Sequence, residues 1–255
     1  MSKSQKIGES ICVIPDCQVK PGVDISHLTW IGNYLAEKRP NILINIGDFS
    51  DLPSLSSYVV GKAEAEGKRY IEDTKFTKHA MNELLKPIKK ANKGKRNKYK
   101  PEMHLTLGNH EDRVTRLVEE NPRLIGAMSI DDLGYKEAGW NVHPFLKVIK
   151  IRGIEFAHYF TSGVLGRPVS SAATLLRERQ CSAIMGHSQA TDVAFHRKTG
   201  NIAMFVGTCY LHDEKYLGEQ GNNQRRQIVM LHEVDGTGRF DPMFVSLEFL
   251  RKNYS

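Results

Sequence analysis

The chain's chemistry is concentrated in five short stretches. Asp16-Cys17-Gln18, Gly47-Asp48-Phe49-Ser50-Asp51, Gly108-Asn109-His110-Glu111, His158 and Gly186-His187-Ser188-Gln189 each follow at once on a short apolar run. Carboxylate, amide and imidazole donors of this mix suit Mn, Fe or Zn ions rather than a thiolate site. Two such ions about 3.5–4 Å apart clamp a phosphoryl group and generate a hydroxide nucleophile. Singly these motifs are commonplace, since a Gly-Asp pair is an ordinary turn and a lone His after a strand is usually structural. Five in order, each behind an apolar run, are a pattern. Cys17, between two donors, reads as a small core residue, because no basic neighbour in sequence lowers its thiol pKa.

These donors can meet only if the runs before them are neighbouring strands. Residues 11–14, 42–46, 103–107, 154–157 and 182–185 have the length and apolar character of buried strands. Between them, Leu28, Ile31 and Leu35 share a helical face behind a Ser26 cap. Residues 63–92 read as one long helix, or two broken near Pro87, and Val114, Leu117 and Val118 mark a short helix after an acidic Glu111-Asp112 start. Alternating strand and helix predicts an α/β layered fold. In such sheets the loops at the carboxyl ends of the strands form the binding crevice, so Asp16 and Gln189 can converge. Glycines before Asp48, Asn109 and His187 are expected to let the backbone turn sharply. Residues 193–195, 202–206, 228–232 and 243–247 look like further strands, with turns at 198–201 and 235–238 and no helices between. That predicts antiparallel or mixed sheet. No repeat or linker interrupts the chain, so one domain over residues 1–255 is expected.

Composition narrows the class. The 255 residues are 40% hydrophobic and 25% charged, which excludes disordered, collagen-like and coiled-coil chains. No apolar run reaches the ~18 residues of a membrane span. The first ten residues are polar, without a signal-peptide hydrophobic region. Four cysteines without a CxxC pair exclude structural zinc and point to a reducing compartment. The expectation is a soluble cytoplasmic protein with no membrane partner. The net charge is +7, from 36 Lys and Arg against 29 Asp and Glu. Residues 86–100 hold eight of the basic residues and no acid; taking those eight from 36 leaves 28 against 29, a net of −1 for the rest. Two readings stay open for this segment. It is a solvated Lys-rich helix end, or it tracks the phosphates of DNA or RNA through Lys93, Lys95, Arg96 and Lys98. Tyr99 is its one aromatic residue, so no base-stacking platform is indicated.

The ordered motifs resemble the calcineurin-like metallophosphoesterase superfamily, whose signature runs DxH, GDxxD, GNH(E/D), a lone His, then GHxH. The match spans residues 16–189 and fits best in GDFSD and GNHE. More loosely, the GNHEDR run with its following Glu-Asn-Pro is similar to bacterial and phage phosphoesterases and nucleases. The resemblance implies an α/β sandwich of two mixed β-sheets flanked by α-helices. It implies two divalent metal ions, with Mn²⁺ favoured and Mg²⁺, Fe²⁺ or Zn²⁺ as alternatives. Asp48 would bridge both ions. Asn109, His158 and His187 would complete one site, and Asp16 with Gln18 and Gln189 the other. His110 would contact the phosphate and protonate the leaving oxygen, oriented by Asp51. Arg113 and Arg116 after the GNHE block, and His212 after Gly207-Thr208-Cys209, are candidates to line the substrate pocket.

Two departures fall on one metal. The first and last motifs of the family end in His, where this chain has Gln18 and Gln189. The outcomes are a weak or single-metal site, a harder site favouring Mn²⁺ or Mg²⁺, or rescue by His196. Leu52 and Leu107 stand where the Ser/Thr protein phosphatases of the superfamily carry phosphate-clamping arginines, which argues against that activity. The expected function is metal-dependent hydrolysis of phosphodiesters of nucleic acid or nucleotides. The alternatives are a monoesterase for small metabolites and a catalytically idle binding module.

Overall fold

The computed structural model describes residues 8–59, 61–214 and 217–255. In chain order the strands are β1 (Glu9–Ile14), β2 (Ile42–Asn45), β3 (Glu102–Thr106), β4 (Asn141–His143), β5 (Ile149–Ile151), β6 (Ile154–Ala157), β7 (Thr161–Ser162), β8 (Arg167–Pro168), β9 (Ala183–Met185), β10 (Thr191–Phe195), β11 (Ile202–Val206), β12 (Gln227–Val234) and β13 (Asp241–Ser246). The helices are α1 (Ser26–Lys38), α2 (Tyr70–Asn92), α3 (Asp112–Glu120), α4 (Ala172–Arg179), the short α5 (Gly218–Gly221) and α6 (Leu247–Tyr254).

Two mixed sheets form the body. The first runs β13-β12-β1-β2-β3-β4, the second β10-β11-β9-β6-β5, and β7-β8 is a small separate ribbon. β1 to β4 are parallel, as are β6, β9 and β11. The late strands divide between the sheets. β12 pairs antiparallel with β1, while β10 pairs antiparallel with β11.

Both faces of the central strands are buried, which is why they read as unbroken apolar runs. Ile11, Val13, Ile42 and Ile44 of the first sheet share a core with Phe156, Ile184 and Met204 of the second. The alternate residues Cys12, Ile14 and Leu43 meet Leu28, Ile31 and Leu35 of α1 and Leu84 of α2. On the outer side of the second sheet, Ala157, Met185 and Phe205 pack on Leu175 and Leu176 of α4. The layers are helix, sheet, sheet, helix, which is the sandwich expected from the sequence.

Local details differ from that expectation. Ser26 is the first helical residue of α1 rather than its cap, and Asp24 Oδ1 accepts the Ser26 N–H at 2.8 Å. α2 starts only at Tyr70 and passes through Pro87 unbroken, residues 63–65 forming a separate 3₁₀ turn. No helix among the described residues is long and apolar enough to cross a membrane.

The parallel strands give the molecule two chemically distinct ends. All five donor motifs follow the carboxyl ends of β1, β2, β3, β6 and β9. The basic segment leads into the amino end of β3, where the Glu102 N–H donates to the Asn41 carbonyl and the Tyr99 hydroxyl to the Pro40 carbonyl. The segment therefore lies at the opposite end of the sheet from the motifs.

Candidate metal centre

At the carboxyl ends of the strands, Asp48, His158 and His187 offer ligand atoms that all lie within 4.8 Å of one another. Asn109 stands between the imidazoles, its Oδ1 3.0 Å from His158 Nε2 and 2.8 Å from His187 Nδ1. His158 Nε2 is 3.3 Å from Asp48 Oδ2. Two donors about 2.1 Å from one cation and at right angles to it stand about 3.0 Å apart. These separations fit that spacing, so the residues present suit a divalent ion.

The electrostatics agree. His158 Nδ1 lies 2.9 Å from the Ile46 carbonyl, to which it donates, leaving Nε2 facing two oxygens. Burial opposes charge on this ring, but Asp48 beside it outweighs burial and pushes the pKa up to about 9. Burial and then the His158 charge push His187 down to about 4. Burial would raise the Asp48 carboxyl, yet His110 and His158 hold it well below the usual carboxylate range. A site that must borrow a proton to reconcile its donors is one that a cation can fill.

The second half of the set is less finished. Asp16 Oδ1 accepts the His187 N–H at 3.2 Å, while its Oδ2 is buried without a partner. Burial pushes this carboxyl up to about 7. Gln18 is buried with neither side-chain polar atom bonded, and its N–H donates to the Asp48 carbonyl at 2.8 Å. Unpaired buried polar atoms are costly, so Asp16 and Gln18 also suit a cation. Gln189 differs, because its Oε1 accepts from the Tyr210 hydroxyl at 3.1 Å, and that hydroxyl accepts from Gln224 Nε2 at 2.6 Å. His196 lies at the far end of β10, where its Nδ1 accepts the N–H groups of Lys198 and Thr199. It is not placed to replace either glutamine.

His110 is set beside these donors. Its backbone N–H donates to Asp48 Oδ1 at 2.9 Å, and its Nδ1 lies 2.8 Å from Asp51 Oδ1. Burial disfavours charge on the ring, but Asp48 and the Asp51 bond raise its pKa above the ordinary value. Nε2 lies 3.4 Å from Arg113 Nη2 and 3.7 Å from Asp48 Oδ2. Arg113 reaches the same place, although its guanidinium is spent on the Asp51 carbonyl at 2.6 Å, Asp51 Oδ1 at 3.3 Å and the Leu52 carbonyl. Arg116 pairs instead with Asp112 at 3.3 Å. His212 bonds Glu214 at 2.8 Å, and Lys20 Nζ spans Glu214 at 2.5 Å and Asp51 at 2.9 Å. His212 is thus tied to the rim through two other side chains.

Backbone conformation supports a built site. Among the described residues ten non-glycines have positive φ, and four of them are candidate ligands: Gln18, Asp48, His187 and Gln189. Strain of this kind persists where surrounding structure over-determines it, commonly at functional sites. Of the three glycines before donors, only Gly47 uses a positive φ, 98°. Gly108 and Gly186 are needed for space instead. A Cβ on Gly108 would collide with Asp48 Oδ1, and one on Gly186 with Asp16 Oδ1.

Sequence reasoning missed Glu111, read there as an acidic helix start. Its buried carboxylate accepts the N–H groups of Asp48 (3.0 Å), Ser50 (3.0 Å) and Gly108 (2.9 Å) and the Tyr135 hydroxyl (3.0 Å). It ties the GDFSD loop to the GNHE loop. Lys20, Tyr210 and Glu214 were also missed; only the position of Lys20, two residues after Gln18, hinted at a role. Cys17 is buried, its thiol directed to the Pro15 carbonyl at 3.3 Å, and burial raises its pKa. It is the inert core residue expected.

No protein-family model matches this sequence, and no curated protein matches it. Among solved structures it is similar to a dimetal phosphatase from Danio rerio, with 9% identity and a TM-score of 0.45, over 98% of this chain and 100% of that one. A likeness so slight leaves this chain's own side chains to carry the function.

Proposed function

We propose that this protein is a divalent-metal-dependent phosphoesterase of the calcineurin-like kind, acting on phosphodiesters of nucleic acid or nucleotides. The observation that carries the reading is Asn109 Oδ1 set between two imidazoles beside Asp48, with His110 held alongside. Asp48, Asn109, His158 and His187 would hold the tighter ion, and Asp16 and Gln18, with Gln189, the looser. Bound divalent ions supply Lewis acidity toward a phosphoryl oxygen and lower the pKa of water. Mn²⁺ is the favoured ion, because carboxylate, amide and imidazole donors give no thiolate preference for zinc.

The protein's own part is proton handling and positioning. His110, with Nδ1 bonded to Asp51, would present Nε2 to the leaving oxygen once substrate displaces Arg113 Nη2, 3.4 Å away. Lys20 and Arg113 fix Asp51, so the imidazole cannot turn away. Arg113 and Lys20 are already engaged by Asp51, Leu52 and Glu214, leaving few side-chain cations to add to the metal ions for a phosphate dianion. That supports a diester, which carries one charge, over a monoester, which carries up to two. The test is side-by-side assay of a chromogenic phosphodiester, the matching monoester and labelled DNA, with Mn²⁺ and after exhaustive EDTA. Undiminished hydrolysis without metal refutes the reading. A clear preference for the monoester refutes the substrate class.

A further inference from the structure

The basic segment is not absorbed by the metal centre, and its placement gives it a separate use. All eight Lys and Arg of residues 86–100 are exposed. Lys86 pairs with Glu83 at 3.2 Å, but the seven Lys and Arg of residues 89–100 have no ion pair among the described residues. The dipole at the carboxyl end of α2 accounts for Lys89 and Lys90 alone. The others repel one another at a cost to the fold.

The segment is also held in shape. Asn92 clamps Tyr99 through two 2.8 Å hydrogen bonds, from its Nδ2 to the Tyr99 carbonyl and from the Tyr99 N–H to its Oδ1. Tyr99 is buried, with the Arg39 guanidinium 5.4 Å from its ring centre at the end of α1. A closed loop thus presents cations without an exposed aromatic or large apolar side chain. There is nothing to stack on unpaired bases and nothing to insert into lipid. A closed loop whose seven cations from residues 89–100 carry no ion pair among the described residues suits a regular array of phosphates, as on a duplex.

We propose that this end of the molecule is a docking face for the backbone of double-stranded DNA, separate from the candidate metal centre. The five residues of β3 alone set the two ends about 17 Å apart, or about five base pairs of duplex. The face therefore holds DNA without itself presenting the held phosphates to the donor loops. It is independent of the phosphoesterase reading, because docking needs no metal.

The test measures binding of the full chain to a labelled 25-base-pair duplex in EDTA, by fluorescence anisotropy across a salt series. The variant carries Lys93→Gln, Lys95→Gln, Arg96→Gln and Lys98→Gln, all at exposed positions. The parent's log-log slope should be about −0.9 per phosphate neutralised. The variant's slope should be shallower by about 2–3.6, with at least tenfold weaker binding at the lowest salt. An unchanged thermal midpoint establishes that it is folded; if it is not, the pair Lys95→Gln with Lys98→Gln is used, with a slope change of about 1–1.8. Equal affinity and slope for parent and variant overturn the proposal. So does parent binding that is tighter to phosphatidylserine vesicles than to the duplex.

Discussion

Glu111→Gln separates the loop clamp from the ligands it positions. The amide keeps the shape of the carboxylate but turns one acceptor oxygen into a donor. If that atom replaces Oε1, the Tyr135 hydroxyl can reverse and accept, while the Ser50 N–H faces another N–H. If it replaces Oε2, the N–H groups of Asp48 and Gly108 are both left facing it. The first arrangement is the cheaper and strands one buried donor, at about 1–3 kcal/mol. We therefore expect about 2 kcal/mol of lost stability at pH 7, read as a lower urea midpoint with unchanged slope by fluorescence of Trp30 and Trp140. Because the clamp seats the Asp48 backbone, Mn²⁺ affinity should fall about 10–100-fold, the usual effect of losing a group that orients a ligand. Burial and the Asp48 charge raise the Glu111 carboxyl above its ordinary value of 4.5. Its folded-state stability is thus full below the unfolded value and declines as pH rises through the raised one. Gln does not titrate, so the gap between parent and variant in metal-free buffer should narrow with rising pH. Stability within about 0.5 kcal/mol of the parent, together with unchanged Mn²⁺ affinity by calorimetry, would refute the clamp.

Asp48→Ala should abolish both metal binding and hydrolysis. His110→Ala keeps its backbone N–H on Asp48 and should retain metal while turnover falls by about 10²–10⁴; equal metal loss in the two variants, by elemental analysis, contradicts the division of roles. Gly186→Ala drives a Cβ into Asp16 and should weaken only the looser of two sites in a metal titration, whereas Gly108→Ala, driven into Asp48, should weaken both. Gln18→His with Gln189→His should tighten the looser site and shift preference toward Zn²⁺; a Mn²⁺-soaked crystal with both native glutamines turned away from metal rules out that pairing.

The sequence by itself determined the elements that bear the donors and the order in which they occur. Ile42-Leu43-Ile44 reads as a strand because both of its faces are buried, and Asp48 must then follow a strand end. Late strands could not be assigned to a sheet, because periodicity records burial and not partner: β12 joins β1, and β10 joins β11. Hydrogen bonds between distant loops were hidden for a similar reason. Nothing about Glu111 in the chain reveals that its carboxylate points inward to three N–H groups rather than outward at a helix start. Gly108 and Gly186 looked like turn glycines, yet proximity to Asp48 and Asp16, set by strand pairing, is what excludes a side chain. The basic segment was plain as a charge count, whereas its position opposite the donor loops follows only from the parallel course of β1, β2 and β3. Local composition fixes what a segment can form and what chemistry it bears. Which groups meet is decided by long-range packing, since contact between residues far apart in sequence leaves no periodic trace in either.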